Sequence, residues 1–333
     1  MLLAGRHDHH VTFSRQTPGG TAPSVRCVRP FAADGMRNGT EGQSGLVTDL
    51  SPKLLPFQRK DRDDEPLFSR RARALAKRSA RSIVRARPAE RRVVLIFGCQ
   101  RSGTTMLQQT FLDRSWRVLI LEEHDRRLVG PDETTWQEYS AVLGRIRRLP
   151  FEVVAAKPLV ESASATALMD AAGTVKAIWM LRPYPDVARS NVSKFGLDNP
   201  YQDLQPIRSR DATDWRYRGM TEETWETVTT LLNRRLTPLD AAALFWWTRN
   251  QLYFDQRLWE DDRIRILRYE RACNQPDEVI QSLSGYIGVA LPIRSITPRV
   301  RVRPSPLETR ELDPDVDRLC GKLWDSFEGC PEL

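Results

Sequence analysis

Arg101, Ser102, Gly103, Thr104 and Thr105 follow closely on an unbroken apolar run, VVLIF at residues 93–97. Such a run predicts a strand covered on both faces, as in a parallel sheet. Gly98 to Gly103 then make a small polar turn, and Thr104, Thr105, Met106 and Leu107 open a helix-compatible segment. Strand, glycine-bearing loop and helix together can cradle a phosphate, because loop N–H groups point at the anion and the helix dipole favours it. The spacing nearly matches the triphosphate loop G-x-x-x-x-G-K-[ST]. Gly98 and Gly103 fit, but Thr104 stands where a Lys would reach the outer phosphates. This argues against ATP or GTP hydrolysis and moves the cation inside the loop, to Arg101. An ordinary strand–turn–helix with a Gly-Ser-Thr turn is the plain alternative for the string by itself.

The other residues able to do chemistry also fall at strand ends. A second strand over 116–121 runs into Glu122, Glu123, His124 and Asp125. A third over 152–156 ends at Lys157-Pro158, and a fourth over 175–181 ends at Arg182-Pro183. A helix over 185–195 then carries Ser190, and a fifth strand over 263–267 ends at Arg268-Tyr269-Glu270. In parallel α/β sheets ligands bind beyond the carboxyl ends of the strands, so these groups lie where a site is expected.

The elements between them complete the pattern. Helices are expected over 132–149, 162–172, 221–235, 238–260, 276–287 and 314–327, with a long irregular segment over 196–220. A loop of that length is usually functional or mobile, and it is the candidate lid. The aromatic residues of 238–260, among them Phe245, Trp246, Trp247 and Tyr253, read as core. Strands and helices alternating from 91 to 287 define one α/β domain, a three-layer doubly wound parallel sheet.

Composition bounds the partners. The 333 residues carry a net charge of +8 with pI near 9.5, which suits an anionic partner without choosing among nucleotide, sulfated glycan, nucleic acid and membrane surface. The five cysteines are scattered, with no CxxC or Cys/His cluster, so neither a zinc site nor a disulfide framework is expected. No apolar run approaches the ~20 residues of a membrane-spanning helix, and MLLAG is too short for a signal-peptide core. A cytoplasmic enzyme is the expectation. Residues 1–66, rich in Gly, Pro, Ser, Arg and Asp, read as a disordered tail, and His7, His9 and His10 within it as solvated. Residues 67–88 read as a basic amphipathic helix, with Phe68, Ala72, Leu75, Ala76 and Ile83 on one stripe. It suits a membrane surface or a polyanion, or else the face of the folded domain, which spans 89–333.

Three blocks resemble the sulfotransferases that use 3′-phosphoadenosine-5′-phosphosulfate (PAPS). The first is RSGTT, similar to that family's 5′-phosphosulfate loop. The second is KAIWMLRPYPDVARSNVSKF, in which Arg182 ends a strand and Ser190 lies eight residues on, as in the family's 3′-phosphate segment. An Arg there offers a planar fork of donors to a phosphate. The third is RIRILRYERACNQPDEVIQSLSGYIGV, whose Arg268 and Glu270 are expected to brace the core nearby. The resemblance spans about residues 92–327 and implies the P-loop sulfotransferase fold, closest to bacterial and carbohydrate-type members.

The resemblance implies that Arg101, Ser102, Gly103, Thr104 and Thr105 hold the 5′-phosphosulfate and that Arg182 and Ser190 hold the 3′-phosphate. Cytosolic small-molecule members place a His after a K-T-H-type string, which is here Lys157-Pro158-Leu159 and lacks it. Glycan-modifying members use a Glu in an E-x-H pattern, which Glu122-Glu123-His124 fits. Glu122 is therefore expected as base, with Glu123 and His124 as runners-up, and Lys157 as the group on the sulfonate oxygens. The family's C-terminal R-K-G-x-x-G string is missing, and Arg299, Arg301 and Arg303 are the candidate replacements. The expected acceptor is a hydroxyl, on a carbohydrate by the E-x-H resemblance, with lipid-linked sugar, phenol and peptide tyrosine open. No metal and no nucleic acid are expected. The rival readings are a P-loop nucleotide kinase and a non-enzymatic polyanion-binding protein that uses the basic helix.

Overall fold

Alternation along the central strand shows how the sheet is covered. Val93, Leu95 and Phe97 enter one hydrophobic core, and Val94 and Ile96 enter another on the opposite face. A strand buried on both sides has no polar face to show, which is why its sequence is a continuous apolar run rather than an alternating one. The computed structural model describes residues 91–130, 135–293 and 312–333, which belong to one compact unit. The tail, the basic helix and Arg299, Arg301 and Arg303 lie outside the described residues.

Five strands, β1 (Arg92–Gly98), β2 (Val118–Leu121), β3 (Val153–Ala156), β4 (Val175–Leu181) and β5 (Ile264–Arg268), lie in the order β2-β3-β1-β4-β5 with every pairing parallel. β2 and β3 lie to one side of β1 and β4 and β5 to the other, so the winding reverses at β1. That switch point is where a crevice opens beyond the strand ends. The doubly wound α/β expectation holds.

After β1 comes α1 (Thr104–Met106), which continues as a π-helical stretch, Leu107–Leu112. Its Leu107, Phe111 and Leu112 fill the second core. α2 (Tyr139–Arg147), α3 (Ala165–Ala172), α4 (Tyr184–Phe195), α5 (Asn199–Arg208), α6 (Glu222–Leu232) and α7 (Pro238–Asp255) pack on the first core. α8 (Tyr269–Asn274) and α9 (Pro276–Ile287) return to the second, and α10 (Pro314–Ser326) closes the first. Helices on both faces make three layers.

The central helix of the first core is α7. Thr237 caps it in a capping box with Asp240, and Pro238 stands in its first turn. Phe245, Trp246 and Tyr253 are at most 1% exposed, so its aromatics are core, as their spacing implied. The outer edge of β5 is covered by the chain's last residues: Ile266 N–H donates to Pro331 O at 2.9 Å and Leu333 N–H to Ile266 O at 2.9 Å. An edge so paired is closed to further strands.

Two expectations need correction. The helix expected over 132–149 covers only Tyr139–Arg147. Trp136 instead bridges to Val129, and its N–H donates to the buried Glu161 at 3.0 Å, so a tertiary contact outweighs the local helical pattern. Glu138 then caps the shorter helix, accepting from Ser140 and Ala141 N–H. The irregular segment expected over 196–220 contains α5, a helix with Pro206 inside it. Leu204 and Ile207 bury against the first core and hold it helical despite the proline.

Candidate active site

The loop after β1 leaves the sheet under tight constraint. Gly98 has φ 125°, and a Cβ on it would lie 2.5 Å from Met180 O of β4. Gly103 has φ 94°, and its Cβ would lie 2.5 Å from Tyr269 Cδ2. Both positions therefore require glycine, in conformation and in space. Between them Arg101 itself adopts a left-handed φ of 68°, a sparsely populated conformation for a non-glycine residue. Ser102 N–H donates to Cys99 O at 3.3 Å and Leu107 N–H to Gly103 O at 3.0 Å, which starts α1.

The residues expected to hold the donor converge on this loop. Arg101 Nε donates to Ser190 Oγ at 3.1 Å, across 89 residues of chain. Arg182 Nη1 donates to Arg101 O at 3.2 Å, and its guanidinium lies 4.3 Å from the centroid of the Tyr269 ring. Trp246 Nε1 donates to Arg182 O at 3.0 Å, so α7 fixes the end of β4. Asp186, 4.0 Å from Arg182, is drawn off by Arg189 at 2.5 Å.

Two buried polar atoms here have no hydrogen-bond partner: Ser102 Oγ and Arg182 Nε. Buried orphans are uncommon because each costs roughly 1–3 kcal/mol. A hydroxyl and a guanidinium N–H beside a glycine loop are donors that a phosphate would satisfy. The residues present thus fit an anionic nucleotide end.

The second group stands at the ends of β2 and β3. Lys157 Nζ donates to Thr105 Oγ1 at 3.1 Å and to Glu122 Oε2 at 3.3 Å. Gln109 Nε2 reaches Glu122 Oε1 at 3.5 Å. The Lys157 side chain is 8% exposed and that of Glu122 42%, so the cation is held inside and the carboxylate faces outward. Glu123, one residue on, is driven the other way: burial pushes its carboxyl above the ordinary range, against the pull of Lys157 and His124. His124 is exposed, and Arg127 holds the Asp125 carboxyl below its ordinary range.

Arg268 lies farther off. It pairs with Glu332 at 2.6 Å and stacks over Trp324, bracing the C-terminal segment. Glu270 is half-buried, with Oε1 unpartnered, and burial raises its carboxyl. Tyr269, between them, is the floor under both Gly103 and Arg182, a role its sequence position did not reveal. Gln100 is another that went unseen; it donates to the buried Asp203 at 3.0 Å.

Fold and site together define an α/β protein with a glycine-constrained loop, flanked by unpartnered donors, at the carboxyl edge of its parallel sheet. Among the described residues no helix is long and apolar enough to cross a membrane. No protein-family profile matches the sequence, and no curated protein is significantly similar to it. Among solved structures the chain is similar to a sulfotransferase from Alicyclobacillus acidocaldarius, at 16% identity and TM-score 0.40, over 72% of this chain and 93% of that one. It is similar to the sulfotransferase domain of the Synechococcus PCC 7002 olefin synthase, at 15% identity and TM-score 0.40, over 73% and 97%. A sulfotransferase from Mycobacterium avium is also similar, at 14% identity and TM-score 0.40, over 79% and 83%.

Proposed function

We propose that the chain is a sulfotransferase that moves a sulfuryl group from PAPS to an acceptor hydroxyl, with 3′-phosphoadenosine-5′-phosphate as the other product. The observation that carries this reading is the position of Thr105. It belongs to the helix that opens behind the anion loop, and its hydroxyl accepts from Lys157, which also pairs with Glu122. A base and a cation thus adjoin a loop with unpartnered anion-binding groups. Thr104, where a kinase would carry Lys, supports a sulfonate over a γ-phosphate.

The roles follow from charge. The loop from Arg101 to Thr105 holds the 5′ end of the donor, and Arg182 and Ser190 hold its 3′-phosphate. Each charge-assisted contact contributes roughly 1.5–3 kcal/mol. Glu122, outward-facing, takes the proton of the acceptor hydroxyl as its oxygen attacks sulfur. Lys157 neutralises charge on the sulfonate oxygens, and Arg101 neutralises charge developing on the oxygen that leaves with the phosphate. Polar groups surround Glu122: Gln109, Thr105 and His124 are exposed. Such a rim suits a carbohydrate hydroxyl, which we take as the acceptor class. A cytoplasmic setting and peripheral contact with a membrane through residues 67–88 belong to the same proposal.

One comparison separates the readings. Melting temperature is measured with adenosine 3′,5′-bisphosphate, with ATP plus Mg²⁺, and with heparin. The bisphosphate is expected to stabilise the protein most. An equal or greater shift with ATP plus Mg²⁺ points to a kinase and overturns the assignment. A shift with heparin alone, falling steeply with salt, points to a polyanion-binding protein.

A further inference from the structure

Beneath the anion loop lies a network that the proposed chemistry does not use. Asp203 of α5 is 3% exposed and holds partners on both carboxylate oxygens. Its Oδ2 accepts from Gln100 Nε2 at 3.0 Å and from Asn199 Nδ2 at 2.8 Å. Its Oδ1 accepts from Arg216 Nε at 2.9 Å. Gln100 is the loop residue beside Arg101. Arg216 also pairs with Asp214 at 3.0 Å and lies over the Trp215 ring at 4.7 Å.

The chain of contacts continues to the other half of the site. Trp215 O accepts from Arg249 Nη1 at 3.2 Å, and Arg249 Nη2 donates to Leu159 O at 3.1 Å. Leu159 is two residues beyond Lys157. Gln100, Asp203, Arg216, Trp215 and Arg249 therefore join the end of β1 to the end of β3 through the segment after α5. Cys99 lies in the field of both Arg249 and Asp203. Burial pushes its thiol up to about 12, so it stays protonated and adds no charge. Two carboxylates, Asp203 and Asp214, pair with the Arg216 guanidinium, and Arg249 donates to main-chain carbonyls. A buried ion network of this kind is a costly way to gain stability, since apolar residues fill such space as well. What it supplies is fixed geometry, because charged partners do not slide.

We propose that Asp203 is a positioning residue: through Gln100 it sets the anion loop, and through Arg216, Trp215 and Arg249 it holds that loop in register with the segment bearing Lys157. This rests on the sulfotransferase reading for the choice of ligand. It predicts that the network is felt in ligand affinity more than in the stability of the free protein. The full chain and its Gln100→Ala, Asp203→Asn and doubly substituted variants are titrated calorimetrically with adenosine 3′,5′-bisphosphate, and the ligand-free melting temperature of each is recorded. Gln100→Ala is expected to weaken binding about 5–10-fold while its ligand-free melting point stays within ~2 °C of the parent. The double variant is expected to bind no more weakly than the worse single one, because the two residues act as a unit. Parent-like affinity in Gln100→Ala, or losses that add, overturns the positioning role while leaving the donor assignment standing. If Asp203→Asn does not fold, Gln100→Ala alone decides by the same measure. Failure of the unaltered protein to bind the bisphosphate overturns the donor assignment, and the positioning role with it.

Discussion

The two ends of the site are built in different ways. At the β1–β4 end, Arg101, Ser190 and Arg182 are bonded to one another and to main chain, over a floor of Tyr269 and under a loop pressed onto β4. At the β2–β3 end, Lys157 is packed inside but Glu122 is 42% exposed and is met by Lys157 and Gln109. The first end is a rigid socket, the second an outward-facing carboxylate over a buried cation. A donor common to many reactions needs the socket; an acceptor that differs from enzyme to enzyme needs only a base within reach. On the proposed reading binding belongs to one end and turnover to the other, and substitutions at each should separate the two.

The largest effect is expected at the open end. Glu122→Gln keeps the size and hydrogen-bonding reach of the side chain but removes the proton acceptor. General-base catalysis typically contributes 10²- to 10⁴-fold, so sulfuryl transfer should fall about a thousandfold. Affinity for adenosine 3′,5′-bisphosphate should stay within about twofold of the parent. Turnover retained in this variant moves the base elsewhere. At the socket the loss should appear in binding. Arg182→Ala removes a guanidinium that spans Tyr269 and the Arg101 carbonyl, and with it one charge-assisted contact to the ligand. On roughly 1.5–3 kcal/mol for such a contact, bisphosphate affinity should fall about 10- to 100-fold in calorimetry. A variant that binds as tightly as the parent would mean that the socket does not receive the 3′-phosphate.

The same contrast explains what could be read from the residues alone. The socket is local: strand, glycine loop and helix lie within RSGTT and its neighbours, and β4 with Arg182 and Ser190 forms one contiguous block. Their spacing therefore reports their geometry. β1 and β4 were legible as apolar runs and α9 by its helical period, each signal lying within one stretch of chain. The rest depends on contacts distant in sequence. Gln100 meets Asp203 across 103 residues, and nothing in either one's neighbourhood marks the meeting. α5 was hidden by Pro206 and Pro200, whose local signal is for a turn, although burial of Leu204 and Ile207 prevails. The π-helical stretch after α1 was also invisible: LQQTFL has an ordinary helical composition, and its wider turns show only in bonds such as Asp113 N–H to Gln108 O at 2.8 Å.

The smallest effect tests the division between adjacent carboxylates. Glu123 stands next to Glu122 in the chain, and burial drives the Glu123 carboxyl upward. A carboxyl whose folded pKa lies above its unfolded one stabilises the fold when protonated. That contribution is complete below the unfolded value, about 4.3, and is lost as pH rises through the folded value. Near neutrality the raised Glu123 carboxyl therefore costs stability relative to the unfolded chain, and Glu123→Gln removes that cost. The variant should melt slightly higher than the parent near pH 7. The difference should shrink as pH falls through the folded value and vanish below about pH 4, where both chains are neutral at this position. Paired melts across that range measure it, and a sulfuryl-transfer assay on the same samples gives the complementary result. Turnover close to the parent, beside its collapse in Glu122→Gln, places the base on the outward carboxylate. A collapse in Glu123→Gln instead would put the reacting proton on the buried side of β2, and the open end would then be the place where the acceptor is held.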